Sequence, residues 1–293
     1  MLRGTAVAWR REIAGLLAEY AAVGDLDFTE VIAENTDPER IDERLTDLAR
    51  VVPVVPHGVT LGLAGADEPA PDRLMRLARL ALAFGSPVVS EHVAFVRAAD
   101  SPDPLHPEVL EAGHLLPPPR TREALEVVVE NVRIAQSQLP VPLAVENIAA
   151  LFTWPEDTLT EAEFLTELVE RTGCRLVLDV ANLFASATAR GSDPARDLGS
   201  FPLEAVAYVH VAGGEFTDGL YVDTHGHDLV EPVVDLLQRL GTLYAGAERP
   251  GGMPGGMPGV MLERDTDVTV PGVRREYDRL RAALGRPSLG EAR

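Results

Sequence analysis

Six apolar runs in this sequence finish in a side chain that metals favour: His57, His92, Glu146, Asp179, His210 and Glu263. Three imidazoles and three carboxylates, with no thiolate among them, suit iron, manganese or zinc better than a structural cysteine site would. The segment YVDTHGHD adds Asp223 and His225, two positions apart and therefore on one side of an extended backbone. Asn182, three residues after Asp179, could fill a further position. A lone strand-end histidine is more often hydrogen-bonded or solvent-facing than a ligand, but six such ends in consecutive strands reverse that reading if the strands converge. Four of the seven histidines then belong to one constellation, while His106, His114 and His227 fall on predicted loops.

Convergence of that kind requires a closed barrel. The pattern predicts strands at 5–9, 27–34, 51–57, 86–92, 141–147, 175–180, 206–212 and 259–265. Between most of them lie segments of helical period: REIAGLLAEYAAV, PDRLMRLARLALAFG, TREALEVVVENVRIAQSQL, LTEAEFLTELVERTG, EPVVDLLQRLG and GVRREYDRLRAALG. Thr160 with Glu163 reads as a capping box, and Gly173 as the stop of the same helix. Short strands alternating with helices predict parallel βα units. Eight of them predict one α/β domain over residues 1–293, a (β/α)8 TIM barrel with its metal site at the C-terminal ends of the strands. A doubly wound sheet is the alternative. The Pro-rich stretch 98–120 reads as a long loop after the fourth strand, and ERPGGMPGGMPG (248–259) as a surface insertion too rich in Gly and Pro to pack a core.

Composition narrows the partners. The formal charge of −20 gives a surface field that repels phosphate backbones and anionic membranes, so neither nucleic acid nor membrane is expected. Part of that acidity could instead be neutralised by bound cations. The run MLRGTAVAWRREIAGLL is broken by WRRE and so lacks the core of a signal peptide. Cys174 is the only cysteine, which excludes an internal disulfide, fits a cytoplasmic location and reads as a buried small hydrophobe.

The blocks HGV (57–59), SEH (90–92), LAVEN (143–147), EAEFLTELVERTGCRLVLDVAN (161–182), HVAGG (210–214), DTHG (223–226) and LERD (262–265) occur in this order along nearly the whole chain. Together they resemble the multinuclear non-heme iron-dependent oxidative enzymes, most specifically across Glu161 to Asn182. The resemblance implies a barrel holding two or three iron ions in mixed Fe(II)/Fe(III) states. It also implies O2 as co-substrate and modification of a residue, often cysteine, of a ribosomally synthesised precursor peptide. Carried over by position, it implies as metal ligands His57, His92, Glu146, Asp179, Asn182, His210, Asp223, His225 and Glu263. Asn182 stands where some members have histidine, and HDLV follows DTHG in place of a proline-containing turn. Such enzymes rely on a recognition domain for the peptide leader, and because this chain ends soon after its last predicted helix, a separate partner protein is expected.

Two other classes compete. A divalent-metal hydrolase or isomerase on the same barrel, of the apurinic endonuclease or sugar isomerase type, would use similar ligands. The nuclease is disfavoured by the lack of a basic cluster, and the isomerase by the lack of a strand-end lysine. A non-catalytic scaffold or metal store would tolerate degraded ligand positions, and none of the six strand ends is degraded.

Overall fold

Parallel strands buried on both faces must be apolar nearly throughout, as the eight predicted runs are. In the computed structural model, which describes residues 1–99, 109–246 and 256–287, all eight are strands. In chain order the elements are β1 (Thr5–Val7), α1 (Ala14–Val23), β2 (Thr29–Ile32), α2 (Glu43–Ala49), β3 (Val54–Gly58), α3 (Pro71–Phe84) and β4 (Val89–His92). There follow β5 (Phe95–Ala99), β6 (Val109–Leu116), α4 (Arg122–Gln138), β7 (Leu143–Glu146), α5 (Glu161–Thr172), β8 (Arg175–Asp179), α6 (Val180–Arg190) and α7 (Pro194–Ser200). The remainder is β9 (Val206–Ala212), β10 (Glu215–Thr217), β11 (Leu220–Val222), α8 (Glu231–Gly246), β12 (Gly259–Glu263) and α9 (Val270–Ala283).

The eight parallel strands run in the order β1-β12-β9-β8-β7-β4-β3-β2, and a bridge between Ala6 and Phe28 joins the two ends into a TIM barrel. Gly259 is dictated by this closure, since a Cβ there would stand 2.5 Å from the Phe28 ring. Register then does the positioning. His92 is paired with Glu146, Asp179 with His210 and His57 with Ser90 across neighbouring strands, so side chains far apart in sequence share one end of the barrel.

Three expectations need correction or restriction. Residues 98–120 are not simply a loop: β5 and β6 pair antiparallel, and residues 100–108, including His106, lie outside the described residues. Burial patterning could not reveal this ribbon, because Glu111 through His114 of β6 are exposed on both faces and carry no apolar alternation. Most of the 248–259 insertion also lies outside the described residues, although Gly256 and Met257 receive hydrogen bonds from Arg3 Nη1 at 2.6 and 2.9 Å. Finally, the sixth strand stops at Asp179, and α6 starts at Val180, where a longer strand is predicted.

The capping box on α5 is formed as read. The Thr160 hydroxyl accepts from the Glu163 amide at 3.2 Å, and the Glu163 carboxylate accepts from the Thr160 amide at 2.8 Å. Thr160→Ala is expected to cost about 1 kcal/mol, measured as a lower urea midpoint at unchanged slope.

Candidate metal centre

The donors gather into three overlapping groups at the C-terminal mouth. His57, His92 and Glu146 form the first; Glu146, Asp179, His210 and Glu263 the second; Asp179, Asp223 and His225 the third. Within each group, one candidate atom per residue lies within 4.8 Å of all the others. Glu146 belongs to the first two groups and Asp179 to the last two, so two carboxylates link three adjacent pockets. Glu146 Oε2 is 3.8 Å from both His57 Nε2 and His92 Nε2. These separations are too long for hydrogen bonds, but fit ligands on one ion, whose donors at ~2.1 Å can stand at most about 4.2 Å apart.

Polar atoms without partners point the same way. Glu146 Oε2, Asp179 Oδ2 and Asp223 Oδ1 are buried and have no hydrogen-bond partner among the described residues. Such atoms are expensive unless a cation satisfies them. Burial, then repulsion from Asp223 and Glu146, pushes the Asp179 carboxyl well above the ordinary range. At Glu263 burial also acts upward, yet His210 and His225 override it and hold the group well below that range. A cation shared among the carboxylates would relieve this imbalance.

Three of the four histidines are held by a hydrogen bond on one ring nitrogen, the usual arrangement for an imidazole that binds metal. His57 Nδ1 is 2.9 Å from Ser90 Oγ, His210 Nε2 is 3.2 Å from Glu30 Oε2, and His225 Nδ1 is 3.0 Å from Asp265 Oδ2. Arg10 Nε in turn donates to Asp265 at 3.1 Å. The free faces then meet the carboxylates: His210 Nδ1 lies 3.3 Å from Glu146 Oε1 and Glu263 Oε2, and His225 Nε2 lies 2.8 Å from Asp223 Oδ2.

Local sequence explains the rest of each motif. In SEH, Glu91 accepts from the amides of Leu61 and His92 at 2.9 and 2.8 Å, anchoring the turn after β3. In EN, Asn147 extends the ladder between β7 and β8, donating to the Asp179 carbonyl and accepting from its amide, both at 2.9 Å. In DVAN, Asp179 caps α6 by accepting from the Asn182 amide at 2.7 Å, while Asn182 Nδ2 donates to the Asn147 carbonyl at 3.1 Å. This leaves the Asn182 Oδ1 as its atom for a cation.

In DTHG, His225 has φ +50°, a strained setting for a non-glycine residue, held by hydrogen bonds from the amides of Asp265 and Thr266 to its carbonyl. The Gly-Gly of HVAGG makes room, because a Cβ on Gly213 would sit 1.9 Å from the His227 carbonyl oxygen.

The structure therefore brings eight of the predicted residues into the three groups and sets Asn182 beside them through Asp179. His227 faces outward, 3.5 Å from Glu215, and His114 is exposed on β6. Glu34 belongs to none of the three groups, and its Oε1 accepts from the Val59 and Thr60 amides at 3.0 Å each. Cys174 is buried, and burial pushes its thiol up to about 11. The residues missed were Glu30, Ser90, Tyr208 and Asp265. A signal for two of them existed, since Ser90 and Tyr208 each precede a candidate ligand by two positions and so share its strand face.

Comparison with known proteins supplies the context. Residues 4–284 match the family model described as RiPP precursor modification enzyme MbnB/TglH/ChrH. A Streptomyces avermitilis protein named UPF0276 protein is 52% identical over 285 residues, which is 96% of this chain but 55% of that protein. A Caulobacter vibrioides protein of the same name is 34% identical over 245 residues, 83% of this chain and 80% of the relative. Among solved structures, endonuclease IV from Thermus thermophilus superposes with a TM-score of 0.57 at 22% identity, covering 96% of this chain and 98% of that one. An Escherichia coli 3-keto-D-glucoside 4-epimerase gives 0.56 at 12% identity, covering 96% and 98%. These likenesses establish the barrel.

Proposed function

The chain belongs to the RiPP precursor modification enzyme family MbnB/TglH/ChrH, the multinuclear non-heme iron-dependent oxidative enzymes that its motifs resemble, and from that premise we propose that it is an iron-dependent oxidoreductase that uses O2 to modify a cysteine of a precursor peptide. The observation that carries the reading is the pair of shared carboxylates, Glu146 and Asp179, which join three groups of candidate ligands. The ligands we assign are His57, His92 and Glu146 in the first pocket; Glu146, Asp179, His210 and Glu263 in the second; and Asp179, Asn182, Asp223 and His225 in the third. Two or three iron ions bound there would supply redox chemistry with O2 and would deprotonate a substrate thiol.

The chain's own residues supply access and order. Burial is graded: the His57 side chain is 4 % exposed and that of His225 22 %, so the third pocket is the one that substrate and O2 would approach. The only cysteine of the chain is buried, so the reacting thiol must come from the peptide. No helix among the described residues is long and apolar enough to cross a membrane. We place the enzyme in the cytoplasm as one domain over residues 1–293, acting on its peptide with a separate leader-recognition partner. Incubation with a cysteine-bearing precursor peptide encoded beside the gene, followed by mass spectrometry, tests this. Product is expected only with iron and O2, and the same product without O2 would overturn the reading.

Metal uptake is expected to release protons. Burial alone would lower the His92 imidazole, but the Glu146 and Glu91 carboxylates raise it to about 9, so below that pH a proton competes with the metal. Apparent affinity should therefore climb as pH rises from about 6 to about 9. Calorimetric titration in buffers of different ionisation enthalpy measures the protons released, and a pH-independent affinity would contradict the assignment of His92.

A further inference from the structure

Beneath the pockets, a line of buried polar groups crosses the barrel floor from β4 through β9 to β2. Ser90 and Tyr208 are 0 % exposed and Glu30 is 2 % exposed, so none of them is there to be solvated. Ser90 Oγ stands 2.9 Å from His57 Nδ1 and 2.7 Å from Tyr208 Oη; Tyr208 donates in a short contact to Glu30 Oε2, the oxygen that also lies 3.2 Å from His210 Nε2. A phenol has one proton to give. With that proton on Glu30, Tyr208 must accept from the Ser90 hydroxyl, and Ser90, its own proton spent, must accept from His57 Nδ1–H. The order of donors is thus fixed from the carboxylate outward, and it leaves the His57 Nε2 lone pair facing Glu146 and His92. On the other side of Glu30, His210 donates through Nε2 and turns Nδ1 towards Glu146 and Glu263.

We propose that Glu30, Tyr208 and Ser90 are positioning residues that act as one directed chain, setting the imidazole tautomers of two adjacent metal pockets from a single anchor. The inference rests on the reading of those pockets as metal sites. Tyr208 touches no candidate ion in this scheme and acts on His57 only through Ser90. Without the phenol oxygen, the Ser90 proton is free to turn to His57 Nδ1 and move the ring's own proton to Nε2, where it blocks the metal.

Zinc binding to the metal-free protein, measured by chelator competition, is the probe, joined to NMR measurement of solvent exchange at the His57 Nδ1–H in the zinc-loaded state. Tyr208→Phe keeps the ring and its edge contact with Phe28, whose centroid is 5.8 Å away. It is expected to weaken the first pocket about tenfold and to speed Nδ1–H exchange. Ser90→Ala should do the same, and the double variant should be no worse than Ser90→Ala alone, because both act through one contact. Glu30→Gln, which lets an amide donate back to Tyr208, should weaken the first and second pockets together. Additive losses in the double variant, or an unchanged first pocket in Tyr208→Phe, would overturn the chain while leaving the metal reading intact. Failure of the unaltered protein to bind zinc, iron or manganese would overturn the metal reading itself.

Discussion

Glu146→Gln is expected to weaken two pockets with one substitution. The carboxylate presents Oε2 at 3.8 Å from the Nε2 atoms of His57 and His92, and Oε1 at 3.3 Å from His210 Nδ1. Glutamine keeps the shape but replaces one oxygen with an NH2 group that cannot bind a cation. Outer partners of metal ligands are worth roughly 10–100-fold in affinity, so loss of a ligand oxygen should exceed about 100-fold at the pocket that the NH2 group faces, while the pocket left with the neutral amide oxygen should weaken less. Folding should not suffer equally, because Glu146 Oε2 is a buried atom without a hydrogen-bond partner among the described residues. Metal content after dialysis, together with the urea midpoint, separates the two effects. Full metal content in this variant would remove the bridging role of Glu146.

Much of this centre was legible because a barrel converts strand order into proximity. His57, His92, Glu146 and Glu263 could be placed from the apolar runs that they terminate, since fully buried parallel strands announce themselves by composition. Asp179 was legible too, but the chain turns helical immediately after it, and VANLFASATAR carries no early sign of that switch apart from the cap that Asp179 itself provides. The β5–β6 ribbon was hidden for the opposite reason: its pairing is made by backbone groups, which sequence patterning does not report. The partners of the imidazoles were harder still. Glu30 lies inside the strand TEVI and would be an error in a core, except that Tyr208 and His210 converge on it from β9. Spacing along one strand cannot show a contact across the barrel, so this shell becomes visible only in three dimensions.

A second large effect is expected away from the ligands. Arg264 and Glu276 form a buried ion pair, their side chains 9 % and 2 % exposed. Arg264 Nη2 also donates to the Gly226 carbonyl at 3.1 Å, and Glu276 Oε1 accepts from the Leu229 amide at 3.0 Å. The pair therefore braces the segment from Gly226 to Leu229 that directly follows His225 and its strained conformation. Glu276→Ala leaves a buried guanidinium with Asp228 as its remaining acidic partner and should cost about 3–5 kcal/mol. It should also weaken the third pocket more than the first, because the DTHG turn loses its brace. Replacing both residues with apolar ones of similar size, Arg264→Met with Glu276→Leu, is expected to recover most of the stability but not the affinity of the third pocket. Equal losses in the single and double variants, followed by urea unfolding, would show that the pair is not a self-contained charge problem.

The most direct test of the central claim is metal content on protein purified without oxygen, by elemental analysis combined with Mössbauer spectroscopy on iron-57-enriched material. Two or three irons per chain, partly ferric, are expected, since three pockets are joined by Glu146 and Asp179. Zinc or manganese alone, with no activity gained on reconstitution with iron, would contradict the account and favour a hydrolase or isomerase on the same barrel.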